Sequence, residues 1–317
     1  MKRVGEGSFE SKHCKIDPLP AARGRRSPPF RGRKELRPIL RSGAVMKPRP
    51  FDYIRPDTAE EAVAFLAEYG EDARVLAGGQ SLVPMLNLRL TDASALIDIS
   101  RIAALDVIRD IGDRIEIGAA VTQNKLMAWP QLAQKLPLVA AALPFVGHFQ
   151  TRNKGTVCGS MAHADPSSEL PLVLAVLGGE IVLRSRRGER VLAAGDFQKD
   201  MLTTARAPDE LIVAARFPVA NGSGIAFREV ARRHGDFAII AVAALAEDNE
   251  VVRLGVGGMA GRPAVRRVAA EGAAGAIAAW AQELEGHEDL HASAAMRRDL
   301  FRNLAPLAMK EALRCAA

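Results

Sequence analysis

The chain has 317 residues, 48% of them hydrophobic and 25% charged, a globular composition with room for one large domain or two of ordinary size. Its 3 cysteines, Cys14, Cys158 and Cys315, are too few and too scattered for a disulfide framework, a thiolate zinc site or an iron-sulfur cluster, and no apolar run reaches the roughly 18 residues of a membrane span. The net charge of +6 is a property of the N-terminus: residues 1–45 hold 12 Lys/Arg against 4 Asp/Glu, and the remainder sums to −2, which removes the support for a nucleic-acid partner.

Residues 1–45 place Arg23, Arg25, Arg26, Arg31, Arg33 and Lys34 among Gly, Pro and Ser. Such a segment has little to bury and is expected to be a disordered basic tail ahead of a natural start at Met46. Thr58 or Asp57 then caps a helix with Ala62, Phe65, Leu66 and Tyr69 at helical spacing, closed by Gly70. A short strand from Arg74 to Ala77 runs into Gly78-Gly79-Gln80-Ser81, and Ser81 is expected to cap Leu82 to Leu90. Strands are expected at 95–99 and 114–120, and a helix over 132–145 limited by Pro137 and Pro144. The stretch 147–171 is polar and has no clean period. A helix from Glu169 to Leu177 closed by Gly178-Gly179, then strands near 180–185, 190–193 and 210–217, complete this half. Pro218 to Gly224 reads as a linker. Beyond it come three strand-like runs over 225–258 and two alanine-rich helical segments, 264–285 and 292–315.

Two glycine segments suit ligand chemistry. In Leu76-Ala-Gly-Gly-Gln-Ser-Leu82 the missing side chains let consecutive N–H groups converge on an anion. Gly155-Thr-Val-Cys-Gly-Ser160 repeats the logic, with Thr156 and Ser160 as hydroxyl donors and Gly159 as the close-approach position. Either alone reads as an ordinary turn; together they suggest one diphosphate held from two sides. Gly255-Val-Gly-Gly-Met-Ala260 fits the G-x-G-x-x-A dinucleotide fingerprint but lacks the acidic residue expected about 20 positions on, so a structural turn is the better reading. His287-Glu-Asp-Leu-His291 matches a zinc-peptidase pattern, yet Gly286 and its polar surroundings make it an interhelix loop. Cys158, His148 and His163 lack a second catalytic group in sequence and read as hydrogen-bonding or packing residues.

Several longer segments carry a resemblance. Met46-Lys-Pro-Arg-Pro-Phe-Asp-Tyr53, Arg74-Val-Leu-Ala-Gly-Gly-Gln-Ser-Leu82, Gly147-His-Phe-Gln-Thr-Arg-Asn153 leading into Gly155 to Ser160, Ala164-Asp-Pro-Ser-Ser-Glu-Leu-Pro171 and Phe227-Arg-Glu-Val-Ala-Arg-Arg-His-Gly-Asp236 occur in order. In these the chain resembles the medium, FAD-binding subunit of the xanthine dehydrogenase and carbon monoxide dehydrogenase family of molybdenum hydroxylases. The resemblance implies an α+β fold: a two-part PCMH-type FAD domain of the vanillyl-alcohol oxidase kind over 46–220, then a smaller α+β C-terminal domain of the CO dehydrogenase flavoprotein type over 221–317.

It also implies non-covalent FAD held by Arg74, Val75, Leu76, Ala77, Gly78, Gly79, Gln80, Ser81 and Leu82, by Thr156, Val157, Cys158, Gly159 and Ser160, and by Glu169, Ile212 and Arg228. Cys158 stands where many members have glycine, Glu169 where aspartate is common, and Arg228 where xanthine dehydrogenases carry lysine. By the resemblance no side chain here is catalytic and none holds a metal. Electrons would arrive from 2Fe-2S clusters on a small subunit, released by a molybdopterin-type molybdenum centre on a large one, and leave for an external acceptor. A cytoplasmic dimer of heterotrimers is the expected assembly. A stand-alone FAD oxidase of the same fold stays open as the alternative at this stage.

Overall fold

The computed structural model describes residues 47–220 and 222–316; the readings made for residues 1–46 lie outside the described residues. The first layer is a parallel sheet of β1 (Asp52–Ile54), β2 (Ala73–Leu76) and β3 (Ala95–Asp98) in the order β1-β3-β2. Helix α1 (Ala59–Tyr69) follows β1, and α2 (Leu82–Asn87) follows β2. The Thr58 hydroxyl accepts the Glu61 N–H at 3.1 Å to start α1, and Gly70, at φ 55°, ends it. The buried face of α1 is Ala59, Ala62, Val63 and Leu66, the stripe that its sequence spacing requires.

The second layer is a five-stranded sheet in the order β4-β5-β10-β6-β7. Its strands are β4 (Ile108–Asp110), β5 (Arg114–Gly118), β6 (Glu180–Ser185), β7 (Gly188–Ala193) and, after the two-stranded ribbon β8 (Gln198–Asp200) and β9 (Thr203–Thr204), β10 (Leu211–Pro218). Between β5 and β6 the chain forms short helices, α3 (Gln123–Met127), α4 (Leu132–Lys135), α5 (Pro137–Ala142), α6 (Phe149–Arg152) and α7 (Val157–His163). The single helix expected over 132–145 is thus broken, at the two positions where proline removes an N–H. Helix α8 (Glu169–Leu177) closes on Gly178, which supplies the left-handed cap at φ 69°. All but one of its residues are buried, as a helix apolar all round must be. Helix α9 (Ala194–Phe197) joins β7 to β8.

The third layer is an antiparallel meander, β11 (Ile225–Ala231), β12 (Ala238–Ala246), β13 (Val251–Gly257) and β14 (Ala264–Ala269). Helices α10 (Ala273–Glu283) and α11 (Ala294–Ala316) cover one face, and α8 packs against the other. The alternation of β12 serves two cores: Ala241 and Ala243 face the large first core, while Ile240, Val242 and Ala244 face a second. Trp280 and Phe301 anchor that second core edge to face, with ring centroids 5.1 Å apart.

The sequence expectation fails at 264–285. Residues 264–269 form β14, hydrogen-bonded along β13, and Gly272 at φ 71° separates this strand from α10. Alanine-rich composition favours a helix locally, but the open edge of β13 offered these residues a ladder of backbone partners. In the segment read as a turn, Gly255 to Gly257 instead end β13, and the bend begins at Gly258, at φ 81°. A Cβ on Gly255 would lie 2.3 Å from Val176 Cγ2 and 2.9 Å from Leu172 Cδ1, so this glycine lets α8 lie close against the sheet. Gly255→Ala is expected to destabilise the chain by about 1–3 kcal/mol through overpacking, seen as a lower urea midpoint with an unchanged slope.

Candidate functional site

Strand β2 delivers Gly78 and Gly79 to the start of α2. A Cβ on Gly78 would stand 2.1 Å from the Lys154 carbonyl oxygen and 2.8 Å from the Gly155 Cα, a main-chain approach that excludes any side chain. Gly79 adopts φ +69°, the left-handed conformation that glycine enters freely, and its carbonyl accepts the Val83 N–H at 3.1 Å. Ser81 makes no side-chain cap; the turn holds the helix start without it. Among the described residues, the N–H groups of Gly78, Gly79, Gln80 and Ser81 have no protein acceptor. Four consecutive amides are thereby available to an anion.

The second loop is fixed from behind. Gly155 donates to the Thr151 carbonyl at 2.7 Å and accepts from the Gln123 N–H at 2.8 Å, while Val157 N–H goes to the Val121 carbonyl at 3.1 Å. Thr156 Oγ1 accepts the Gly159 N–H at 2.9 Å and caps α7. Ser160 Oγ accepts from Gln123 Nε2 at 3.0 Å. Both hydroxyls therefore keep their protons to donate elsewhere. The amides of Val157 and Gly159, expected to serve an anion, are already used. Gly159, which lines the cavity, has a further reason to be glycine: its Cβ would lie 2.7 Å from the Thr156 cap oxygen.

The two loops wall one open cavity of about 610 Å³, within the roughly 300–1,000 Å³ range of cofactor and ligand sites. It brings together Arg74, Val75, Ala77, Gly78, Gly79, Gln80, Ser81, Leu82, Thr156, Cys158, Gly159, Ser160, Glu169 and Ile212. Leu76, Val157 and Arg228 do not line it. Val157 is core, and Arg228 pairs with Glu311 of α11 at 2.7 Å. Sequence reading missed Gln123, whose buried Oε1 has no partner among the described residues, as well as Arg206 and Phe237, which line the cavity too. Phe237 sits in the β11–β12 hairpin and is 61% exposed. The neighbouring Gly235 abuts His148, where a Cβ would come within 2.5 Å of Nδ1.

Burial controls the titratable groups. It pushes the Glu169 carboxyl up to about 7 and the Glu229 carboxyl, which also feels Glu169, up to about 8. His163 is held below its ordinary value by the same desolvation. The Cys158 thiol rises to about 12, also by burial; its Sγ donates to the Ile117 carbonyl at 3.5 Å, so it is a packing residue. The His287–His291 segment is the loop between α10 and α11. Asp289 there accepts the N–H groups of His291 and Ala292 and pairs with buried Arg297 at 2.7 Å, which explains its polar sequence without a metal.

Comparison with known proteins falls on one family. Residues 49–220 match the family described as the FAD binding domain in molybdopterin dehydrogenase. The chain is 43% identical over 195 residues to the 6-hydroxypseudooxynicotine dehydrogenase complex subunit alpha of Paenarthrobacter nicotinovorans, spanning 61% of this chain and 66% of that protein. It is 34% identical over 275 residues to the nicotine 6-hydroxylase medium subunit of the same organism, spanning 82% and 96%. Among solved structures, a chain of the carbon monoxide dehydrogenase from Hydrogenophaga pseudoflava superposes with a TM-score of 0.81 at 31% identity, covering 85% of this chain and 99% of that one.

The contrast between the cysteines is testable. Cys158 is buried and Cys315 exposed, and a thiol near 12 is almost entirely protonated at pH 8. Iodoacetamide at pH 8 should modify Cys315 in the native chain and reach Cys158 only after unfolding, as read by peptide mass spectrometry.

Proposed function

The chain belongs to the molybdopterin-dehydrogenase FAD-binding family, and from that membership we propose that it is the electron-transfer subunit of a molybdenum hydroxylase complex. It would work between the iron-sulfur clusters of a small partner subunit, fed by a large molybdenum-bearing subunit, and an external electron acceptor. The observation that carries this reading is the alignment with a medium subunit over 96% of that subunit's length, with both cavity loops inside the matched segment.

The cavity residues fit FAD. Four unpartnered amides in the first loop suit a diphosphate, and the Thr156 and Ser160 hydroxyls retain donor protons for it or for the adjoining chain. Glu169 offers a buried carboxyl to sugar hydroxyls, and Gln123 Oε1 offers a second acceptor. Ile212 and the exposed Phe237 provide apolar surface for rings. The flavin supplies the redox chemistry when bound, and the protein binds and orients it. Residues 46–220 form the FAD domain and residues 221–317 the C-terminal domain in this reading. The C-terminal part still reaches the cavity, because the hairpin Gly235-Asp236-Phe237 forms part of its wall.

No helix among the described residues is long and apolar enough to cross a membrane. Relatives named for nicotine hydroxylation and caffeine dehydrogenation make N-heterocycles the first substrates to try, with aldehydes next, after a relative named for glyceraldehyde dehydrogenation. Flavin in the isolated chain should stay oxidised in the presence of such a substrate and bleach once both partner subunits are added. Anaerobic bleaching at 450 nm by substrate with this chain alone would instead establish a self-sufficient oxidase.

A further inference from the structure

The turn between β9 and β10 carries Arg206 to the cavity wall beside Leu211 and Ile212. Its Nη1 donates to the carbonyls of Ala207 (3.0 Å), Pro208 (3.2 Å) and Glu210 (2.7 Å). The guanidinium is therefore held rigidly, while Nε and Nη2 have no acceptor among the described residues. Arg74 lines the same cavity and spends Nη1 on the carbonyls of Glu71 and Ala73. Neither arginine makes an ion pair among the described residues. The acids nearest Arg206 are already committed: Glu210 to Arg190 at 2.6 Å, and Asp209 to Arg187 at 2.5 Å.

A desolvated cation that shares a cavity wall with a second one is a costly arrangement unless an anion joins them. Burial first and the charge of Arg74 next lower the pKa of the Arg206 guanidinium. Burial favours the neutral form of the cavity's Glu169 and His163; Asp236, on the hairpin, is the other carboxylate of the wall.

Resting on the assignment of this cavity to FAD, we propose that Arg206, together with Arg74, is the charge-bearing contact for the phosphates of the bound dinucleotide. The backbone amides of the first loop alone would recognise a phosphate by shape and dipole; the arginine pair adds full charge and a planar donor set. Arg206 lies far in sequence from either glycine loop, and nothing in its spacing marks it.

The test uses the full chain stripped of flavin and titrated with FAD, ADP and riboflavin. Arg206→Gln should weaken FAD and ADP by roughly 10- to 100-fold, the loss of one charge-assisted contact, and leave riboflavin within about two-fold. Arg206→Lys should recover most of the lost affinity, because it restores the charge. Unchanged ADP and FAD binding in Arg206→Gln would overturn the proposal, and so would an equal loss for riboflavin, which would mark Arg206 as a brace for its own loop. Should that variant fail to fold, Arg74→Gln and the salt dependence of ADP binding to the unaltered chain decide. Binding that is selectively lost in the first and weakens with salt in the second supports the pair; insensitivity in both overturns it. An unaltered chain that takes up neither FAD nor riboflavin would remove the cofactor assignment itself, a failure visible before any variant is compared.

Discussion

The site depends on one close approach of main chain to main chain. Gly78 meets the peptide joining Lys154 to Gly155, and a Cβ at that position would sit 2.1 Å from a carbonyl oxygen. Because nothing larger than hydrogen fits, the two loops share one wall, and the amides that follow Gly78 are held in place before any ligand arrives. Gly155 is pinned in turn by Thr151 and by the Gln123 amide. Pre-organisation of this kind spares a ligand the cost of ordering the loops that bind it.

Donor accounting divides the labour between the loops unequally. The first loop leaves its amides unused, whereas the second spends those of Gly155, Val157, Gly159 and Ser160 on Thr151, Val121 and Thr156 and keeps its hydroxyl protons. An anion is therefore recognised mainly by backbone on one side and by side-chain donors on the other. The third sheet is tied into the same wall: Gly235 rests against His148, and Phe145 packs at a tilt on Phe227 with centroids 5.4 Å apart. Glu169 at the cavity also raises the cost of charging Glu229 of β11, so the C-terminal meander is coupled to the cavity through packing and through charge.

Much of this architecture was readable from residue order. Helix α1 carried its cap, stripe and stop between Thr58 and Gly70, and α8 was bounded by Glu169 and Gly178 because glycine enters the left-handed cap at least cost. The glycine loops were readable as loops, but not which glycine served which purpose. Gly159 answers to a cap inside its own helix and Gly255 to α8, contacts that have no signature in local sequence. Residues 264–269 were misread because alanine, valine and arginine are compatible with helix or strand, and a distant strand edge decided between them. Gln123 and Arg206 escaped notice for a related reason: a lone polar residue has no period, and its position in the cavity exists only once the chain has folded. Arg228 shows the converse, a residue proposed by resemblance that the structure places in an ion pair with Glu311.

The amides of residues 78–81 are the donors on which recognition of the ligand turns. Hydrogen exchange resolved to those positions, in the stripped chain and again with saturating FAD, measures whether they become donors to the ligand. Exchange that is fast in the stripped chain and slows by roughly tenfold or more with FAD bound is the predicted result. Amides that exchange equally fast in both states, with FAD demonstrably bound, would contradict it.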